Sequence, residues 1–141
     1  MTVQTFTRRV RIHLDDVDFA QVLYYPRVAD MCCRVLEEFF TDELKLPWWT
    51  MVQEHKVGMP TVDLHVVYRR PLRFGDQADV HLTIREVGNR RAAFGFKLVN
   101  VATGETTAEV VHFVTFISTA TWQAIPIPEP YRSALARWLP A

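Results

Sequence analysis

The chain has 141 residues, the size of one domain, and a core at this length buries roughly two-thirds of the unfolded surface without disulfide or metal staples. Hydrophobic residues make up 49% and charged residues 23%, which excludes intrinsic disorder. Lys+Arg and Asp+Glu are both 16, so the net charge is zero, which argues against binding nucleic acid or a membrane surface through excess positive charge.

From Phe6 to Leu14 the even positions carry Phe6, Val10, Ile12 and Leu14, with Arg9, Arg11 and His13 between them. This period of two predicts a half-buried strand. A polar loop follows, Asp15-Asp16-Val17-Asp18, and then Phe19 to Tyr25. Pro26 to Phe40 reads as the main helix. At 100° per residue, Val28, Ala29, Met31, Cys32, Cys33, Val35, Leu36, Phe39 and Phe40 fill one arc of roughly 200°. Arg27, Asp30, Arg34, Glu37 and Glu38 fill a separate arc of about 100°. An apolar arc this wide predicts a helix embedded in a sheet that curls around it. Pro26 suits the first turn, where its missing N–H costs nothing.

After Pro47-Trp48-Trp49, the chain turns strand-like. Val62, Leu64, Val66 and Tyr68 alternate with Asp63, His65, Val67 and Arg69, and Pro71 should end that ladder. Val80, Leu82 and Ile84 alternate next. Gly88-Asn89 signals a turn, Ala92 to Val101 returns with Phe94, Phe96 and Leu98 on one side, and Thr103-Gly104 signals another turn. Thr106 to Ser118 is expected as the last and longest strand, and Glu129 to Leu139 as a short amphipathic helix. The order is strand, long helix, then four strands in hairpin succession. It predicts one α+β domain over residues 1–141: a curved five-stranded antiparallel sheet wrapped around one long central helix. One helix cannot cover both faces of such a sheet, so the outer face is expected to be partly apolar and to meet another subunit.

Cys32 and Cys33 are adjacent, with no metal-ligand spacing and no sign of a disulfide framework. Both lie in the apolar arc without a base at helical spacing, so they read as packing residues. The first ten residues lack a signal-peptide core, and the apolar stretch Val110 to Ile117 is interrupted by His112 and Thr115 and is far short of a membrane span. A cytoplasmic protein is expected. The histidines form no Ser/His/Asp arrangement, and no G-x-S-x-G pattern occurs. His65 is expected opposite the core, at a subunit interface. Glu37 and Glu38 read as a solvated helix face. Thirteen of the sixteen basic residues are arginine, which suits composition bias and also planar recognition of phosphate or carboxylate.

The three carboxylates just before the helix carry the sharpest signal. One can cap a turn while the rest are solvated. One can also point into a cleft beside the helix N-terminus, whose free N–H groups and positive dipole end are the parts of an oxyanion hole. A carboxylate beside such donors is an arrangement for acyl transfer.

This segment resembles that of the hotdog-fold acyl-CoA thioesterases of the 4-hydroxybenzoyl-CoA thioesterase type. It matches their motif with Asp16-Val17-Asp18 followed by Val22-Leu23-Tyr24-Tyr25-Pro26. The likeness continues through Leu46-Pro47-Trp48, Val57-Gly58-Met59-Pro60, Tyr68-Arg69-Arg70-Pro71, Gly75-Asp76 and Asn89-Arg90-Arg91. The resemblance implies a hotdog fold and hydrolysis of an acyl-CoA thioester. Asp18 would be the nucleophile or general base, and the Tyr25 N–H the oxyanion donor. Arg90 and Arg91 would meet the phosphates of coenzyme A. Gln21, Tyr24, Trp48 and Met59 would line the substrate's path. Coenzyme A enters only as part of the substrate, with no separate cofactor and no metal. A homodimer or homotetramer is implied, with the site between subunits. Two departures stand out. The family commonly has Gly where Gln21 stands, so either the loop shifts or the Gln21 amide donates to the thioester oxygen. It commonly has a helix carboxylate where Cys33 stands, and Cys33 near Met31 and Phe19 suggests a more apolar acyl pocket. An acyl-carrier-protein thioesterase and a non-catalytic acyl-CoA-binding module remain the alternatives.

Overall fold

The computed structural model describes residues 3–141. Strand β1 spans Phe6–Arg11, helix α1 Arg27–Glu38 and the short helix α2 Trp48–Gln53. The strands β2 (Val57–Gly58), β3 (Thr61–Tyr68), β4 (Gln77–Val87), β5 (Arg91–Asn100), β6 (Thr106–Thr115) and β7 (Ile117–Ser118) follow, and α3 (Tyr131–Ala136) closes the chain. The five long strands make one antiparallel sheet in the order β1-β4-β5-β6-β3, and β2 pairs with β7. Among the described residues no helix is long and apolar enough to cross a membrane.

Helix α1 begins where the sequence predicts, with Pro26 at the N-cap. It buries Val28, Cys32, Val35 and Leu36. Past Glu38 the winding widens: the Leu44 N–H donates to the Phe39 carbonyl at 3.0 Å, five residues back. The consecutive rings of Phe39 and Phe40 are both fully buried there. Phe39 lies edge-on to Phe6 at 5.3 Å and Trp138 at 4.9 Å, while Phe40 meets Phe94 at 6.3 Å and Trp48 at 5.8 Å. Each such ring contributes about 1.5–3 kcal/mol by leaving water, so this turn anchors the helix to β1, β5 and the C-terminal segment together. The inward residues Phe94, Phe96 and Leu98 are buried as their alternation predicts.

Several expectations are corrected. β1 stops at Arg11, and Leu14 sits exposed in a 3-10 turn, because the Asp16 carboxylate accepts the His13 N–H at 2.8 Å and curls the chain. The last four long strands do not run in hairpin succession. β3 pairs with β6, not β4, and forms an edge of the sheet. Thr106 to Ser118 is two strands, broken at Phe116, and β4 is the longest strand. The C-terminal helix is shorter than expected, at Tyr131–Ala136. Cys33 is exposed in the single chain, so it is not a core residue as its place on the apolar arc suggests.

His112 is buried on the inner side of β6 beside Phe94, with Nε2 2.7 Å from the Thr61 hydroxyl. Burial lowers its pKa. The unfolded chain therefore takes a proton near the ordinary value of about 6.5, and the folded chain only lower down. Stability from this residue is level above that value and falls as the pH drops toward the folded-state pKa. Urea unfolding at about pH 7.5 and about pH 5 is expected to show a smaller acid loss in His112→Gln than in the wild type.

Candidate active site

Three carboxylates precede α1, and the backbone sorts them. Asp15 is exposed, and its carbonyl accepts from the Arg27 guanidinium at 3.3 Å. Asp16 is committed to structure: its carboxylate accepts the His13 N–H at 2.8 Å, and its carbonyl accepts the Tyr24 N–H at 2.9 Å. Asp18 sits at the base of a tight hairpin closed by the Val17–Leu23 bridge. Its N–H donates to the Val22 carbonyl at 3.0 Å, and its carbonyl accepts the Gln21 N–H at 2.9 Å. Its Oδ1 accepts the Ala20 N–H at 2.9 Å. This local bond orients the carboxylate and engages one oxygen, leaving Oδ2 with no protein donor among the described residues.

The hairpin is pinned to the segment between β3 and β4. The Leu23 N–H donates to the Leu72 carbonyl at 2.7 Å, and the Phe74 N–H to the Gln21 carbonyl at 3.3 Å. The Gly75 N–H donates to the Ile12 carbonyl at 2.9 Å, and the Asp76 carboxylate accepts the Arg73 N–H at 2.8 Å. Gly75 has φ +90°, a conformation glycine adopts freely. The matched pair Gly75-Asp76 is therefore the clasp that holds the loop.

The first turn of α1 presents the other half of the site. The Tyr24 carbonyl accepts the Arg27 N–H at 2.8 Å. Because a peptide is planar, this turns the Tyr25 N–H of the same unit away from the helix. That N–H has no acceptor among the described residues. The next carbonyl, of Tyr25, accepts the Tyr68 hydroxyl at 2.6 Å. Although Tyr68 is half exposed, partial desolvation of its phenol raises its pKa, with smaller contributions from Tyr25 and Cys32. The sequence marks Tyr68 only as part of a matched motif and does not show this role. Beside the same turn lies a cavity of about 310 Å³ with an apolar wall of Val22, Leu23, Val28, Leu72 and Ala108.

Asp18, Gln21, Tyr24 and Tyr25 lie on one loop, where the Gln21 N–H donates to the Asp18 carbonyl and the Tyr24 N–H to the Asp16 carbonyl. Gln21 has φ +64°, the left-handed region that favours glycine, so the backbone takes a glycine conformation with a side chain aboard. Trp48 and Met59 lie elsewhere. Trp48 packs at a tilt against Phe40 beyond the far end of α1, and Met59 packs against the core after β2. Arg90 and Arg91 stand at the β4–β5 turn. The loop of Asp18 adjoins the start of β4 and the arginines its end, and 11 residues of strand put them about 30 Å apart. The cysteines are poor nucleophiles: burial pushes the Cys32 thiol up to about 12, and partial desolvation together with Glu37 and Asp30 raises that of the otherwise exposed Cys33.

Gln21→Val places a branched side chain at this positive φ and is expected to lower the unfolding free energy by about 1–2 kcal/mol in a denaturant titration. Gln21→Gly, relieved of the same strain, is expected to keep wild-type stability.

A family model described as the Thioesterase-like superfamily matches residues 12–139. The 1,4-dihydroxy-2-naphthoyl-CoA hydrolase of Microcystis aeruginosa is 23% identical over 128 residues, covering 91% of this chain and 88% of that protein. The hydrolase of the same name from Picosynechococcus sp. is 25% identical over 93 residues, which are 66% of this chain and 63% of that protein, so the match spans less than two thirds of that relative. The solved 1,4-dihydroxy-2-naphthoyl-CoA thioesterase of Synechocystis superposes with a TM-score of 0.87 at 22% identity, covering 94% of this chain and 96% of that one. A Staphylococcus aureus protein solved in complex with CoA gives 0.88 at 19% identity, covering 100% and 89%. The fold is the hotdog fold of these structures. With most of its length matched from Ile12 onward, the chain belongs to the thioesterase-like superfamily.

Proposed function

We propose that the chain hydrolyses acyl-CoA thioesters to a free acid and coenzyme A, with Asp18 and the Tyr25 N–H as its reacting groups. One observation carries the reading. A carboxylate with one oxygen free and a peptide N–H with no acceptor stand on the same short loop, which is tied down on both sides. The N–H and the positive end of α1 stabilise the negative charge that develops on the thioester oxygen. Asp18 then acts in one of two ways. As a nucleophile its oxygen bonds to the thioester carbon, the carbon–sulfur bond breaks, and water hydrolyses the resulting anhydride. As a general base it takes a proton from water, which attacks the same carbon. Both routes release the coenzyme A thiol. The Gln21 amide, beside Asp18, is a second donor to the thioester oxygen.

The site is completed by a second copy of the chain. Its own Arg90 and Arg91 stand about 30 Å from the Asp18 loop, so they serve a neighbouring site. The free edge of β3 supports a homodimer: Val62, Leu64 and Tyr68 are exposed there, and an open strand edge invites pairing. Arg90 and Arg91 of the partner subunit would take the coenzyme A phosphates as bidentate donors. The half-exposed Val67, Val111 and Phe113 on the outer sheet face are where a second contact would make a tetramer.

Thiol release from short, medium, long and aryl acyl-CoAs tests the reaction. Asp18→Asn keeps the shape and removes the charge, and is expected to cut kcat about a hundredfold or more. No thiol release from any member by the wild type overturns the reading. A mixture tests the shared site. Asp18→Asn and an Arg90→Ala/Arg91→Ala double variant, co-expressed under separate tags and assayed well below KM, are expected to recover about a quarter of wild-type activity. Half of the dimers are then mixed, and each mixed dimer holds one intact site of two. No recovery places both groups in one protomer's site.

A further inference from the structure

The β4–β5 turn is held by more than its own strands. Its four carbonyls, from Gly88 to Arg91, all have donors. The Arg91 carbonyl accepts the Gly88 N–H at 2.7 Å, and the Arg90 carbonyl accepts the Phe116 N–H at 2.8 Å. The other two converge on one residue of the C-terminal helix. Nη2 of Arg132 donates to the Gly88 carbonyl at 2.9 Å and to the Asn89 carbonyl at 2.7 Å. Its Nε donates to the Ile127 carbonyl at 3.3 Å, and the Ile127 N–H returns to the Asn89 carbonyl at 2.8 Å. The planar guanidinium fits these acceptors as no ammonium would.

Two facts separate this from ordinary loop packing. Arg132 has no carboxylate within ion-pair distance among the described residues, so its protein partners are backbone carbonyl dipoles alone. The side chains that the turn presents are also arginines. Arg90 is exposed, with no hydrogen-bonded or ion-paired partner among the described residues, and the Arg91 guanidinium rests 5.3 Å over the Phe113 ring. The turn thus gathers three like charges where an anion would be welcome, and spends the most inward of them on fixing the backbone.

We infer that Arg132 is a positioning residue for this turn, holding Arg90 and Arg91 ready for the phosphates of coenzyme A. The inference rests on the acyl-CoA reading above. Arg132 touches only backbone in the chain; the doublet touches the ligand. Fixing a loop beforehand removes the ordering cost that binding would otherwise carry, so Arg132 acts on substrate affinity and leaves the reacting carbon alone.

The experiment compares an acyl-CoA with the matching acyl-pantetheine, which has the same thioester and no nucleotide phosphate. Arg132→Gln is expected to raise KM for acyl-CoA about tenfold with kcat within about twofold. KM for acyl-pantetheine should stay as in the wild type. Arg132→Lys, which keeps the charge but loses the planar fork, should fall between the two, and it serves if the Gln variant does not fold. Equal losses on both substrates, or a loss confined to kcat, mean a merely structural role and overturn the inference. So does an unchanged KM in the Arg132 variants while Arg90→Ala/Arg91→Ala raises it, an outcome that leaves the acyl-CoA reading standing. If the doublet variant also leaves KM unchanged, the phosphate role of the turn fails, and the role of Arg132 with it.

Discussion

A helix start cannot satisfy its own first N–H groups, and here the rest of the site is built around that shortage. The loop before α1 supplies an acceptor for the Tyr24 N–H from Asp16, and the Tyr24 carbonyl takes the Arg27 N–H. Pro26 has no N–H to satisfy. The Tyr25 N–H is left over, and the peptide that carries it is oriented by bonds on either side. An unpaired peptide donor is costly in a closed core. At an open rim it is left for solvent or a ligand. The same hairpin that ties down its neighbours carries Asp18, so one set of backbone bonds holds both groups on one loop.

Those bonds run to a distant part of the chain. Ile12, Gln21 and Leu23 are joined to Asp76, Phe74 and Leu72, a segment entered after β3 and left into β4. Because β3 crosses over to pair with β6, this connection must pass the end of the sheet where α1 begins. The crossover therefore does two jobs. It brings the clasp residues Gly75 and Asp76 against the Asp18 loop, and it leaves β3 as an exposed edge. The aromatic anchor at Phe39 and Phe40 closes the opposite end of the helix. Between these two ends, α1 is fixed along its whole length.

The candidate site was partly legible in the sequence. The spacing of Asp16, Asp18 and Tyr25 ahead of an apolar arc located the loop, because carboxylates, turn formers and a helix N-terminus follow one another along the chain. The resemblance pointed to Asp18, but how the carboxylates are held was not legible, since it depends on which of them accept the His13 and Ala20 N–H groups. Tyr68 and Arg132 escaped notice as bearers of a role for a similar reason. Each acts on backbone carbonyls more than forty residues away, and no local pattern encodes such a contact.

The sequence alone determined the α+β class, the one long helix and the faces that α1, β4 and β5 bury, because periods of 3.6 and 2 are written in the order of apolar residues. The tertiary structure decided which strands pair, where β1 ends, and that Cys33 lies in the open. It also decided that Gln21 takes a left-handed backbone and that the Asp18 loop and the Arg90–Arg91 turn stand at opposite ends of the sheet. The reason is physical. Periodicity reports only which face of an element avoids water, whereas pairing and distance are set by hydrogen bonds between residues remote in sequence, and those exist only once the chain has closed on itself.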